Sequence, residues 1–550
     1  MFSAIGRRGW IVPLALALAI VAVDLHGAMG CSDSRWSIHT AVSLLDQGNF
    51  DLDEFRSIVE ARQFSFTEQV NGHIYTMYPF GTSILAAPGV ALLRPVAAAA
   101  FALSPSLRTS MESAARARGC PPLAGEPVVS LHSWTEQIIA SLIVALTAVL
   151  LYAIARGELS VPGAALTALL FAFGTSAWST ASRSLWQHGP SMLLLAGALF
   201  LQHRRLLPWL SGGLLAFAYL VRPTNALPLA CAAAWIAWTQ PRRIIAFGAG
   251  VLVVIAPWLA LNRHIYADWL PPYYHPAYFA GNPFFWDAFA GLMIGPARGL
   301  LVYSPVLAFS ILGVAMKIRR RTFTTLDLSL AVCVVVYWVA IARVNRVWWG
   351  GDSYGPRFFA DMLPYLIFWM IPCVAWLESP LTPRAIRVGV GGALAVAAAV
   401  SVLMHAQGVF NPAAMRWNHE PPSVELEAQR LWDWRYPPFL AGLVTAPHSS
   451  ETLPPPAACD GPPAAPHGVA ILSNSRYGVT LAWTAGSGVV TDYLIAVGSA
   501  AGAHDLPARR SRSTTLQVAR VPPGTYYVRV HGTNACGVGP PSEEISVSVR

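Results

Sequence analysis

The sequence predicts a mainly α-helical protein that crosses a membrane many times and ends in an all-β, immunoglobulin-like sandwich. Three observations lead there. Of 550 residues, 55% are hydrophobic and only 12% are charged, against about 25% charged in soluble globular chains. Apolar runs approaching the ~20 residues a spanning helix needs recur as far as residue 404. Beyond that point the hydrophobic period shortens to two, the period of half-buried strands.

The first run covers residues 10–30 and is interrupted only by Asp24 and His26. It has no small-residue cleavage pattern and reads as a retained anchor rather than a removed signal peptide. Further spans read as 131–155, 162–180, 190–201, 210–221, 224–239, 244–261, 300–316, 326–342, 362–377 and 388–404, about eleven in all. The formal charge of +9 invites a nucleic-acid partner, but the basic residues cluster in short breaks: Arg7-Arg8, Arg204-Arg205, Arg242-Arg243 and Lys317 to Arg321. Such clusters mark cytoplasmic loops, so no nucleic acid is expected. The odd count puts the N-terminus inside and the C-terminus outside. Residues 78–103 are apolar enough for a twelfth span. Counting them would move every later basic loop to the wrong side, so they read as a juxtamembrane or re-entrant segment.

This topology gathers the polar chemistry on the external face. There lie a long first loop (31–130), the breaks "LWQHGP" and "VRPT", a loop over 262–299, and "RVWWGGDSYGPRFFAD". The membrane unit is thus residues 1–405. A polar connector, 406–461, leads to a terminal domain over 462–550. In that domain "GVTLAWTA" and "TYYVRVHG" alternate apolar and polar residues. The spacing of Trp483, Tyr493 and Tyr526, followed by "NACGVGPPSEEISVSV", resembles a fibronectin type III domain. The resemblance implies that Trp483 fills the sandwich core and Tyr526 is its corner tyrosine. In an external setting Cys459 could pair with Cys536, and Cys31 with Cys120. Cys231, Cys333 and Cys373 fall within spans, and no spacing matches a zinc signature.

The first loop opens with "CSDSRWSIHT", which sets Asp33 where the chain leaves the membrane. Ile38, Val42 and Leu45 fall on one face of an amphipathic surface helix. Asp33 at its start is an N-cap on spacing alone. The wider pattern adds a second reading. "LLDQGNFDLDEF", "GHIYTMYPFGTSILAAP", "SLWQHGP", "VRPTNALP", "GPARGLLVYSP" and "WWGGDSYGPRFFADMLP" together resemble the GT-C glycosyltransferases, which include protein O-mannosyltransferases and aminoarabinose transferases of lipid A. The resemblance runs from about Trp10 to His405 and rests on the order and common sidedness of the stretches.

It implies a plasma (inner) membrane enzyme that takes a sugar from a polyprenyl-phosphate donor and passes it to a hydroxyl of a lipid, glycan or protein acceptor. Such chemistry needs a base for the hydroxyl and cations for the departing phosphate. By resemblance Asp33 is the base. Arg222, His188, Arg298 and Arg357 sit at external membrane boundaries, where a lipid phosphate would lie. Trp348, Trp349, Tyr354 and Tyr78 are candidate sugar or acceptor contacts. Each has a structural alternative: carbonyl capping for Arg222, capping for His188, snorkelling for Arg298, a pair with Asp352 or Asp361 for Arg357, and interfacial anchoring for the aromatics. This chain lacks the lysine of related signatures before the proline of "MYPFG", which shifts phosphate contacts to arginine and histidine. No cofactor is assigned. A literal D-x-D, Asp51-Leu52-Asp53, could hold a divalent metal, although alternate side chains of an extended segment point apart.

Other functions compete. A transporter or flippase of lipid-linked glycans would share the helix breaks and boundary arginines, but the chain has no evident internal repeat. A polysaccharide polymerase or ligase would use similar residues. A surface-binding protein working through its tail would need only one anchor.

Overall fold

A computed structural model describes residues 10–26, 33–61, 66–117, 129–275, 281–282, 284–344, 347–419, 424, 428–444, 461–475, 478–503, 506–511, 514–519, 524–534 and 536–549. The chain forms two compact units, Met1–Ala446 and Pro447–Arg550.

Among the described residues of the first unit, six helices are long and apolar enough to cross a membrane: Gly81–Leu103, His132–Ala155, Pro241–Tyr266, Thr325–Val344, Arg357–Glu378 and Arg384–Phe410. Shorter apolar helices lie at Ile11–Asp24, Val161–Phe173, Pro208–Val221 and Phe285–Ile294. The protein is a multi-pass helical membrane protein.

Two expected spans are interrupted for local reasons, and one apolar segment is a single helix. Residues 81–103, expected as a juxtamembrane or re-entrant segment, form one 23-residue helix despite Pro88 and Pro95. The span expected over 300–316 is broken. A turn at Leu300–Tyr303 gives way at Ser304-Pro305, and the helix resumes at Ala308–Arg319, because proline has no N–H to continue the ladder. The span expected over 162–180 stops at Phe173. A π-turn follows at Ala177–Ala181, the kind of irregularity often found at functional positions.

Small residues set the closest helix contact. Helices Pro208–Val221 and Ile244–Tyr266 meet backbone to backbone, and a Cβ on Gly250 would lie 1.7 Å from the Trp209 carbonyl oxygen. Only glycine permits that approach. Gly250→Ala must push the helices apart and is expected to cost about 1–3 kcal/mol. Thermal unfolding in detergent would measure it; an unshifted midpoint would count against this packing.

In the first loop, strands Thr67–Val70 and His73–Thr76 form an antiparallel hairpin. Asn71 and Gly72 turn it with φ of +52° and +88°, the Asn-Gly turn that matches strand twist. The helix after Asp33 runs Ser37–Asp46. Ile38 and Val42 are buried as expected, but Leu45 is exposed. His39, Thr40 and Ser43 are buried too, so this helix is packed on several sides and is not a one-faced surface helix.

The second unit is a sandwich. One antiparallel sheet orders Ile545–Val549, Gly524–Asn534, Asp492–Gly498 and Leu506–Ser511, with Gly537–Pro541 also on the long strand. The other orders His467–Ser475, Gly478–Thr484 and Thr515–Ala519. Trp483 is buried in the core with its ring edge-on to Tyr493 at 5.3 Å, and Tyr526 packs at the core's margin. Cys536 is disulfide-bonded; Cys31, Cys120 and Cys459 lie outside the described residues. Cys231, Cys333 and Cys373 are free thiols.

Candidate active site

Four interruptions of regular structure carry the site. Asp33 stands in the turn before helix Ser37–Asp46. Its distance from the helix start removes the N-cap expectation: the cap position is Trp36, with no side-chain cap bond. His188 opens helix His188–His203 after a break over residues 182–187, of which 182–186 are buried. Arg222 ends helix Pro208–Val221 in an extended conformation, φ −154° and ψ +127°. The ring of Pro223 disfavours a helical residue before it. Arg357 opens the 3-10 turn Arg357–Met362, reached through Gly350, Gly351 and Gly355, all at positive φ.

These interruptions bring four predicted residues into one buried network. Arg357 Nη2 donates to Asp33 Oδ2. Its Nε lies 3.3 Å from His188 Nε2, and Nη1 donates to the Gly350 carbonyl at 3.1 Å. His188 Nδ1 is 3.3 Å from Asp361 Oδ1. Arg222 Nη1 lies 2.8 Å from the same Nδ1, so the imidazole stands between both arginines and Asp361. Arg222 Nη1 pairs with Asp361 Oδ2 and donates to the Tyr337 hydroxyl at 3.1 Å. The Tyr337 hydroxyl also bonds Asp361 Oδ2. The chain is therefore Asp33–Arg357–His188–Asp361–Arg222, with Tyr337 at its inner end. Arg357 takes Asp33 as its ion-pair partner, and Asp361 goes to Arg222 and His188. Asp352 meets His419 at 3.2 Å instead. The Arg357 guanidinium also stacks 4.0 Å over the Trp186 ring.

Two further clusters hold these parts in place. At the end of the first helix, Asp24 accepts from Arg183 at 2.8 Å, Ser182 at 3.0 Å and Ser141 at 2.7 Å. Arg183 and Gln137 also donate to the Asp24 carbonyl. This cluster ties the helix that precedes Asp33 to the break that precedes His188. Glu136 accepts from the Leu185 backbone N–H at 2.8 Å and fixes the same break from the other side.

Other expected residues lie elsewhere. Arg298 is buried away from the network and braces the glycine loop. It donates to the carbonyls of Trp349 (2.7 Å), Ala297 (2.9 Å) and Gly351 (3.3 Å), and to Asn418 Oδ1 at 2.7 Å. Burial pushes its pKa down to about 10. Its donors are used by three backbone carbonyls and the Asn418 amide oxygen, which corrects the expectation of a phosphate ligand. Tyr354 is fully buried, with its hydroxyl donating to the Met404 carbonyl at 2.6 Å. Trp348 is buried against Gly291. Neither ring is accessible as a sugar platform. Trp349 is half-buried. Tyr78 is half-buried too, edge-on to Tyr273 at 5.6 Å.

The D-x-D acids also depart from expectation. The chain turns at Leu52, so Asp51, Asp53 and His73 bring one ligand atom each within 4.8 Å of one another. Asp53 already accepts from His73 (2.6 Å), Arg56 (3.0 Å) and the Ile74 N–H (3.1 Å). These bonds account for it as a clip between the hairpin and the preceding turn.

The connector is partly built into the first unit. Trp417 is fully buried, its indole N–H donates to the Tyr436 carbonyl at 2.8 Å, and Arg430 stacks 4.4 Å over its ring. Asn418 links Arg298 to the Ser353 carbonyl. The boundary after Ala446 therefore lies well beyond the expected residue 405. A chain truncated after Ala446 is expected to keep the melting behaviour of the membrane unit. One truncated after Phe410 should lose it, because Arg298 is then buried without Asn418. Equal melting of the two truncations would contradict this.

Tyr337 and Asp361 are the network members that spacing did not assign to a site. Their signal was a polar group within an apolar run, on Thr325–Val344 and at the head of Arg357–Glu378.

The described residues thus define a class: a multi-pass helical membrane protein with a buried charged network where helix ends meet, followed by a β-sandwich. Residues 464–548 match the Fibronectin type III domain. No curated protein sequence matches the chain. Among solved structures the chain is similar to domains A168–A170 of titin, at 26% identity and a TM-score of 0.15, covering 16% of this chain and 33% of that one. The chain therefore spans about a third of that relative. It is similar to a structure described as a myokine (18% identity, TM-score 0.15, 16% of this chain, 99% of that chain). It is also similar to apo ArnT from Cupriavidus metallidurans (14% identity, TM-score 0.43, 73% of this chain, 75% of that chain).

Proposed function

We propose that this protein is an integral-membrane glycosyltransferase of the GT-C type. It moves a sugar from a polyprenyl-phosphate donor to a hydroxyl of a lipid, glycan or protein acceptor. The reaction lies on the external face of a plasma (inner) membrane, with the N-terminus cytoplasmic and the terminal domain external. The observation that carries the reading is the pairing of Asp33 with Arg357, two residues 324 positions apart that head different elements.

In this mechanism the donor phosphate competes with Asp33 for Arg357. The freed carboxylate takes the proton of the acceptor hydroxyl. The acceptor oxygen bonds the anomeric carbon, the bond from that carbon to the phosphate oxygen breaks, and its electron pair leaves on the phosphate. Arg357, with a planar fork suited to phosphate, stabilises that charge. His188, Asp361 and Arg222 orient Arg357. Trp349 and Tyr78 remain candidate sugar or acceptor contacts.

The test is direct. Purified protein is incubated with a panel of polyprenyl-phosphate sugars, and release of polyprenyl phosphate is followed. Release from one donor supports the class and identifies the sugar; no release from any donor, with folded protein and acceptor extract present, overturns it.

A further inference from the structure

We infer that the indole N–H of Trp186 and the side-chain amide of Gln187 are a phosphate-binding pair, completing with Arg357 a pocket for the acceptor-only oxygens of the lipid-linked donor. The inference rests on the donor class proposed above and assigns residues to it.

The break from Ser184 to Gln187 is held rigidly. Leu185 N donates to Glu136, Trp186 N to the Ser184 carbonyl at 2.8 Å, and Gly189 N to the Trp186 carbonyl at 3.2 Å. Trp186 is only 5% exposed. Its ring supports the Arg357 guanidinium, which in turn holds Asp33. Yet Trp186 Nε1 and Gln187 Nε2 are buried atoms with no hydrogen-bond partner among the described residues. So is the hydroxyl of Ser184. Buried donors without partners are costly and rare in folded proteins. Two in consecutive residues, the first with a guanidinium over its ring, point to a ligand that supplies acceptors.

The chemistry of the set selects the ligand. Indole and amide N–H groups only donate. The nearby carboxylates, on Asp33 and Asp361, are already engaged by arginine. The Gln187 amide oxygen could serve a sugar hydroxyl, but only an anionic oxygen also answers the Arg357 cation stacked on the Trp186 ring. Charge-assisted bonds to such oxygens are among the strong ones. An unpaired indole by itself means little: Trp178 Nε1 is also unpartnered, but its ring sits among Phe173 and Phe410 with no cation stacked on it. It serves as the control.

The experiment measures binding of undecaprenyl phosphate and of undecaprenol to purified full-length protein in detergent. Trp186→Phe keeps the ring under Arg357 and removes the N–H. Gln187→Met keeps the shape and removes the amide. Each is expected to weaken binding of the phosphate about tenfold or more and to leave binding of the alcohol unchanged; Trp178→Phe should change neither. A merely structural role would move both ligands together. If either variant fails to fold, the other carries the test. Wild-type affinity for the phosphate in the folded variants would overturn the inference, with those donors then served by water. Wild-type protein that does not distinguish phosphate from alcohol would instead overturn the donor class.

Discussion

Asp33→Asn protein is expected to fold, to bind a polyprenyl-phosphate donor and to transfer sugar at least about 10²-fold more slowly than wild type. The substitution keeps size and hydrogen-bonding reach but removes the basic carboxylate. Asp33 makes no cap bond to the helix behind it, so the helix has no reason to fray. Its side chain retains 24% of its exposure, so losing the ion pair leaves the Arg357 cation near a mouth that solvent can reach. Donor binding should hold or improve, since Arg357 no longer has a competing carboxylate. The measurement is a single-turnover assay alongside donor binding and a melting curve. Near wild-type transfer by folded Asp33→Asn protein would remove the proposed base.

The two network arginines should fail in different ways. Asp361 has no exposure at all and depends on Arg222 for its countercharge. Arg222→Ala leaves that carboxylate buried and unpaired, a change that costs about 3–5 kcal/mol, so loss of melting temperature and yield should come first. Arg222→Gln combined with Asp361→Asn removes both charges and should recover most of that loss. Arg357→Ala strands only the part-exposed Asp33. It should fold and lose turnover by the worth of one preorganised contact to the departing phosphate, about 2.7–4 kcal/mol. Stability and turnover measured on all three proteins separate the roles. Arg222→Ala protein that melts like wild type would contradict the pairing, and Arg357→Ala protein of normal turnover would remove that residue from the reaction.

Much of this site was legible in the sequence because charge at the edge of an apolar run is expensive. Asp33, His188, Arg222 and Arg357 all stood out for that reason, and they form one network although the chain separates them widely. The same signal misled for Arg298. It marks a buried cation but not which carbonyls a turn will orphan, and the turn around Gly350-Gly351 presents the Trp349 and Gly351 carbonyls to Arg298. Trp348 and Tyr354 were misjudged in the same way. An aromatic residue in a boundary loop can face lipid, ligand or core, and only the glycines opposite, Gly291 and Gly408, make room for these two. Tyr337 lay inside a helical run, where periodicity locates a face but not a partner, and Asp361, at the end of the external stretch, was legible only as an alternative partner of Arg357. The helix break at Ser304-Pro305 was readable from the proline. The burial of the connector was not, because it depends on Trp417 meeting Arg430 and Asn418 meeting Arg298.

The proposed transfer would leave the charge of this network almost unchanged. Asp33 and Asp361 carry two negative charges and Arg222 and Arg357 two positive ones, so the resting site is electrically neutral. A bound phosphodiester adds a single negative charge. In the proposed reaction the phosphate would become a monoester with close to one further negative charge, while Asp33 would take the acceptor's proton and lose its negative charge. The total is nearly the same before and after. In surroundings where an uncompensated charge is heavily penalised, the step then needs no ion to enter or leave with it. The proton and the sugar cross the site in opposite directions, and the pocket meets both ends of the reaction with the same field.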